Sequence, residues 1–156
     1  MTKKYCKSTR LIIVVLFTPL LSFAQKNDSK QLMSSAVFDW NTMKVMTTKT
    51  GERRQFFNSA TSTLKNFECH VTTLNPGEIA HPPHQHPEEE MIIVKEGTVE
   101  FLVNAELKRV GPGSIIFQAP NRLHNSKNVG NISATYFAIK WTSTKTGEKP
   151  LLNLPR

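Results

Sequence analysis

The stretch Gly77-Glu78-Ile79-Ala80-His81-Pro82-Pro83-His84-Gln85-His86-Pro87-Glu88-Glu89-Glu90-Met91-Ile92-Ile93-Val94, closed by Gly97, decides how this chain reads. In extended backbone alternate side chains point to one face, so His84 and His86 approach a common point, and Glu90 has the same parity four positions on. Continued as a strand, the run puts Ile92 and Val94 on that inward face and Met91 and Ile93 on the other. A strand apolar on both faces implies cover on both sides, as in a barrel packed against a second element or subunit. Imidazole nitrogens with one carboxylate suit Zn, Mn, Fe, Ni or Cu rather than Ca or Mg. Three or four such ligands leave room for water and a substrate, the layout of a catalytic rather than a closed structural site. Taken alone, a His-X-His pair beside an acidic run reads equally well as a solvated loop.

A second stretch changes that balance: Pro112-Gly113-Ser114-Ile115-Ile116-Phe117-Gln118-Ala119-Pro120-Asn121-Arg122-Leu123-His124-Asn125-Ser126-Lys127-Asn128. Together the two stretches resemble the two motifs of the cupin superfamily. Gly77, His84, His86, Glu90 and Gly97 meet the first, except that six residues rather than five separate Gly77 from His84. Pro112, Gly113, Pro120, His124 and Asn128 meet the second, with Ser114 where many cupins place an acid. The resemblance implies an all-β, single-domain, double-sheet barrel of the jelly-roll kind. It also implies one divalent transition metal (Mn, Fe, Zn, Ni or Cu) held by His84, His86, Glu90 and His124. The extra residue before His84 raises His81 as a substitute ligand, but Pro82 and Pro83 break the strand geometry, so His81 is expected at the rim. Glu88, beside Pro87, is expected as a solvated charge or an acceptor supporting a ligand. Gln118, Asn128, Tyr136 and Lys140 are further polar candidates near the cavity, and Phe101 and Val103 are expected to line the barrel.

The rest of the chain has the pattern of an all-β domain. Strands are expected over about 54–57, 64–74, 90–95, 98–103, 107–110, 114–118, 124–128 and 135–141, separated by turns such as Asn75-Pro76-Gly77 and Gly111-Pro112-Gly113. No ten-residue stretch after Ala24 has a 3.6-residue apolar period, so helices should be few and short. Asn131-Ile132-Ser133 fits a glycosylation sequon, though Val129-Gly130-Asn131 reads better as a plain turn. In the run from Phe67 to Leu74, Phe67, Cys69 and Val71 share one face, so Cys69 is expected to be a buried, inert thiol.

The N-terminus reads as an address. Lys3, Lys4, Lys7 and Arg10 precede an apolar run from Leu11, and small residues stand at Ser22 and Ala24. This is a secretory signal peptide over residues 1–24, cleaved after Ala24. Thr18 and Pro19 interrupt the run, which is shorter than the ~20 residues of a spanning helix, so no stable membrane anchor is expected after cleavage. The expected location is secreted or periplasmic. Taking 24 residues from 156 leaves 132, one ordinary domain. Four positive charges leave with the signal, reducing +8 to +4. With no basic run, that gives no support to nucleic-acid binding. Only Cys69 remains, so no intrachain disulfide can form. The expected organisation is an N-terminal tether and arm over 25–52, a barrel domain over 53–141 and an extended tail over 142–156.

The function expected is a small metalloenzyme of dioxygenase, isomerase or hydrolase type acting on a small organic molecule. The alternative is a non-catalytic cupin that binds a sugar or organic acid, with a structural metal. Outward Met91 and Ile93, with Leu151, Leu152 and Leu154 in the tail, suggest a homodimer.

Overall fold

The computed structural model describes Met1 and residues 31–143, so the expected signal peptide beyond Met1 and the tail leucines Leu151, Leu152 and Leu154 lie outside the described residues. A 3-10 turn, Trp40–Thr42, leads into nine strands: β1 (Val45–Thr47), β2 (Gly51–Ser59), β3 (Leu64–Leu74), β4 (Glu89–Glu96), β5 (Val99–Val103), β6 (Glu106–Val110), β7 (Ile115–Gln118), β8 (Ser126–Asn128) and β9 (Ala134–Ser143). They form a six-stranded antiparallel sheet in the order β1-β2-β3-β9-β4-β7 and a three-stranded sheet in the order β6-β5-β8. The fold is the double-sheet jelly roll expected from the sequence. Among the described residues no helix is long and apolar enough to cross a membrane.

The period-2 pattern decides which side chains meet between the sheets. Leu74, Ile92, Val94, Val99, Phe101, Ile116, Ala134, Tyr136 and Ala138 form the core cluster, and Phe101 and Tyr136 pack edge to face with ring centroids 5.5 Å apart. Val103 packs against this cluster. On β4, Glu90, Ile92 and Val94 are buried while Met91 and Ile93 are only partly covered, matching the inward and outward parity. Part of the outward cover comes from the N-terminal arm, because Trp40 lies 6.2 Å from Phe56 and 6.1 Å from Phe137, with Arg54 and Lys95 over its ring. Cys69 is buried, and burial pushes its thiol up to about 11, which keeps it protonated and inert.

Three local differences from the sequence expectation have physical reasons. β1 and the start of β2 lie in the expected arm, where Lys44, Lys49, Gly51 and Glu52 interrupt any apolar alternation; pairing with β2 and β3 supplies what local propensity lacks. β8 is regular only from Ser126, since Pro120 and Asn121, at φ 56°, hold the chain in a turn before it. The segment 77–84 is not a named strand, yet it is stitched along β8. Gly77 N–H donates to Asn128 O, Ala80 N–H to Ser126 O, and Asn128 N–H to Glu78 O. Gly97 adopts φ +78° in the β4–β5 turn, and a Cβ there would lie 2.6 Å from the Ala134 backbone, so only glycine fits.

Candidate metal centre

The stitching of 77–84 to β8 brings the two motifs together. His84 and His124 exchange backbone hydrogen bonds of 3.0 and 2.9 Å, as a directly opposed antiparallel pair does. Asn121 N–H donates to His86 O at 2.8 Å, which fixes the next turn of the same ribbon. Their side chains therefore point to one place: ring centroids are 4.4 Å apart for His84 and His124, 4.8 Å for His86 and His124, and 5.5 Å for His84 and His86. One ring nitrogen from each lies within 4.8 Å of the others. Glu90, at the start of β4, reaches the same point, with Oε2 3.2 Å from His124 Nε2 and 3.5 Å from His86 Nε2.

Ring tautomers follow from the acceptors. His124 Nδ1 lies 2.7 Å from Arg122 O and His86 Nδ1 lies 3.2 Å from Glu88 O. A carbonyl oxygen only accepts, so both Nδ1 atoms donate and both Nε2 lone pairs turn toward the centre. His124 Nε2 is buried and its approach to Glu90 lacks the direction of a hydrogen bond; His84 Nδ1 is likewise buried without a partner. Two orphaned imidazole nitrogens beside a carboxylate are expensive unless a cation joins them. Nitrogens 2.0–2.1 Å from a tetrahedral metal lie about 3.4 Å apart, so side-chain adjustments of about 1 Å bring the trio into range. The donor set fits a divalent transition metal, with Glu88 and the Arg122 carbonyl orienting the ligand rings.

The electrostatics agree with that geometry. Burial pushes the Glu90 carboxyl up, but His124, His86 and Lys140 together outweigh it, and its pKa lies below the usual carboxylate value. The Glu90 carboxylate raises His124 above an ordinary imidazole. Burial lowers His84, and the neighbouring histidines add to the effect. His81 is exposed and its Nδ1 lies 3.1 Å from Pro82 O; its ring packs edge-on to His84 at 4.0 Å, at the rim and outside the trio.

The centre opens onto a cavity of about 150 Å³, lined by Glu90, Ile92, His70, Thr72 and Arg53 from the large sheet and by His124 and Ser126 from the facing ribbon. Among the polar residues singled out in the sequence, Tyr136 lines this cavity, and its hydroxyl bonds Ser126 Oγ at 2.7 Å. Lys140 stands between Glu68 and Glu90 in the strand register, with Nζ 3.2 Å from Glu68 Oε2. Gln118 and Asn128 instead serve the fold: Gln118 donates to Leu102 O, and Asn128 brackets a turn. Sequence reasoning missed Arg53, Glu68 and His70. The available signal was parity, because Glu68 and His70 alternate with the outward Phe67, Cys69 and Val71.

Comparison with known proteins follows the same line. Residues 70–140 match the Cupin_2 family model, described as a cupin domain. No curated protein matches the chain in sequence. Among solved structures, an RmlC-like cupin from Shewanella frigidimarina superposes with a TM-score of 0.58 at 13% identity, covering 72% of this chain and 95% of the other. The polyketide cyclase RemF from Streptomyces resistomycificus gives 0.55 at 18% identity, covering 70% and 80%. A predicted oxalate decarboxylase from Thermotoga maritima gives 0.56 at 18% identity, covering 69% and 99%. These likenesses establish the fold. Residues 70–140 are thus similar to a cupin domain, and the chain has the cupin jelly-roll fold.

Proposed function

We propose that this protein is a small metalloenzyme in which His84, His86, Glu90 and His124 hold one divalent transition metal at the wall of a small cavity. The observation that carries the reading is the convergence of three imidazole nitrogens within 4.8 Å, two of the rings also touching the Glu90 carboxylate. Bound there, a metal supplies Lewis-acid polarisation of a substrate oxygen. The chain's own residues do the rest. Glu88 and the Arg122 carbonyl hold the rings in one tautomer, while Phe101 and Ile92 limit water at the cavity. A volume of about 150 Å³ falls below the ~300 Å³ lower end of drug-sized sites, so the substrate is a small organic molecule. That the fold is shared with proteins named as a polyketide cyclase and a predicted oxalate decarboxylase is consistent with this reading.

The second reading is a non-catalytic binder of a sugar or organic acid with a structural metal, favoured by the Ser126 and Tyr136 hydroxyls at the cavity being bonded to one another. Cobalt substitution tests both. For an enzyme or an open binding site, the metal-free protein keeps its β-sheet circular dichroism and small carboxylates or carbonyl compounds perturb the cobalt visible spectrum. A purely structural metal gives a chain that unfolds without it and a spectrum no small molecule changes.

A further inference from the structure

On the large-sheet side of the cavity lies a polar cluster that the metal reading does not use, with Glu68 and His70 buried and Arg53 and Lys140 partly exposed at its edge. His70 Nδ1 is 3.0 Å from Glu68 Oε1, Arg53 Nη2 is 3.1 Å from the same oxygen, and Lys140 Nζ is 3.2 Å from Glu68 Oε2. Arg53 Nη2 also donates to Gln55 Oε1 at 3.0 Å. Lys140 first among the charges, with His70, holds Glu68 below the ordinary carboxylate pKa despite burial, so it is ionised and only accepts. His70 Nδ1 is therefore the donor. Nε2 carries the lone pair, has no hydrogen-bond partner among the described residues, and belongs to a ring that lines the cavity.

We propose that His70 is the proton-accepting base of this cavity, oriented by Glu68, and that its substrate is a small carboxylate bound beside Arg53. The proposal deepens the reading above, since it assumes that the cavity admits a small molecule. Burial and the Arg53 charge push His70 down to about 4, so the imidazole is neutral and its lone pair free at pH 7, though weakly basic. Glu68 opposes that shift and Lys140 adds to it. An entering carboxylate offsets the charge of Arg53, and the base strengthens only when the substrate is in place. A proton then leaves the substrate carbon next to a carbonyl for Nε2. The C–H electron pair remains on the substrate as an enolate, and return of the proton to either carbon gives an isomer with no oxidant or reductant consumed. Arg53 is suited to the carboxylate because Nη1 and Nε have no protein partner among the described residues while Nη2 is held by Glu68.

The groups facing this ring are Glu52 and Arg53 from β2, Glu68 from β3, Tyr136 and Lys140 from β9, Glu90 from β4, His81 from the loop before it and His124 before β8. Histidine-labelled protein followed by nitrogen NMR separates their effects, with malonate as the probe. At pH 7 the His70 signal is that of a neutral ring protonated on Nδ1. Saturating malonate raises its midpoint by about one pH unit, a tenfold gain in proton affinity. Arg53→Met abolishes the malonate shift, and Glu68→Gln releases the tautomer into a mixture. A His70 ring protonated on Nε2, a midpoint that malonate leaves in place, or a cavity that malonate does not enter overturns the proposal. His70→Gln keeps the wild-type metal content, and loss of metal from the wild type itself would refute the metal centre while leaving the His70 signal intact.

Discussion

Asn128 occupies the last position of the second motif, and replacing it separates a fold role from a site role. Its side chain is fully buried. Nδ2 donates to Leu74 O at 3.0 Å and to Ile132 O at 2.8 Å, while Oδ1 accepts from Gly130 N–H at 2.9 Å. These three bonds tie β8 to the end of β3 and close the turn into β9. In Asn128→Ala the Leu74 carbonyl is stranded in the interior, which costs about 1–3 kcal/mol, and each of the two part-buried bonds is worth about 0.5–1.5 kcal/mol. The sum centres on about 4 kcal/mol, and for a domain of this size it lowers Tm by about 10–15 °C. Urea titration with circular dichroism reads it directly, with Asn131→Ala in the exposed turn as a control that stays within about 0.5 kcal/mol. A loss below about 1 kcal/mol refutes the bracket. So does a variant that is as stable as the wild type yet has lost its metal.

Other expectations follow from the same structure. Between pH 6.5 and 4 the unfolded chain protonates His70 while the folded ring, pushed down to about 4, does not; the unfolded state binds more protons, so stability falls by up to about 3 kcal/mol as pH drops through this window. Lowered His84 acts in the same direction, whereas raised His124 stabilises below its ordinary pKa and loses that contribution as pH rises through its folded value; denaturant titrations in which His70→Gln leaves the acid slope unchanged would contradict the assignment. The outer face of the large sheet exposes Ile115 and Phe117 beside Met91 and Trp141, and we propose that it pairs two copies of the chain. Light scattering should give a dimer mass that Phe117→Glu halves, and a monomer at tens of micromolar counts against it. We also propose export, for which N-terminal sequencing of the cell-derived protein should begin at Gln25; retained chains starting at Met1 would sink that reading.

The fold was legible because turn residues punctuate almost every strand and because β4 alternates as a buried strand should. β3 runs over the same residues, Leu64–Leu74, that its pattern marked. β1 was not legible, since Val45-Met46-Thr47 is short and exposed and owes its conformation to pairing with β2. Of the centre, His84, His86 and Glu90 were readable from parity, but His124 entered by family resemblance. What joins it to them is a backbone ribbon between 77–84 and β8, a long-range contact that carries no local signal. The Arg53, Glu68 and His70 cluster was hidden for a related reason. Its members are ordinary charged residues in strands until the register of β2, β3 and β9 sets them side by side.

The central claim is that four side chains hold one metal, and elemental analysis of purified protein tests it most directly. Wild-type protein should carry about one divalent transition metal per chain, and His84→Ala/His124→Ala should carry almost none while keeping its β-sheet circular dichroism, because each alanine removes a lone pair that nothing nearby replaces. His81→Ala should retain the full metal content, since its exposed ring lies outside the trio. Equal metal content in the wild type and the double mutant would contradict the account.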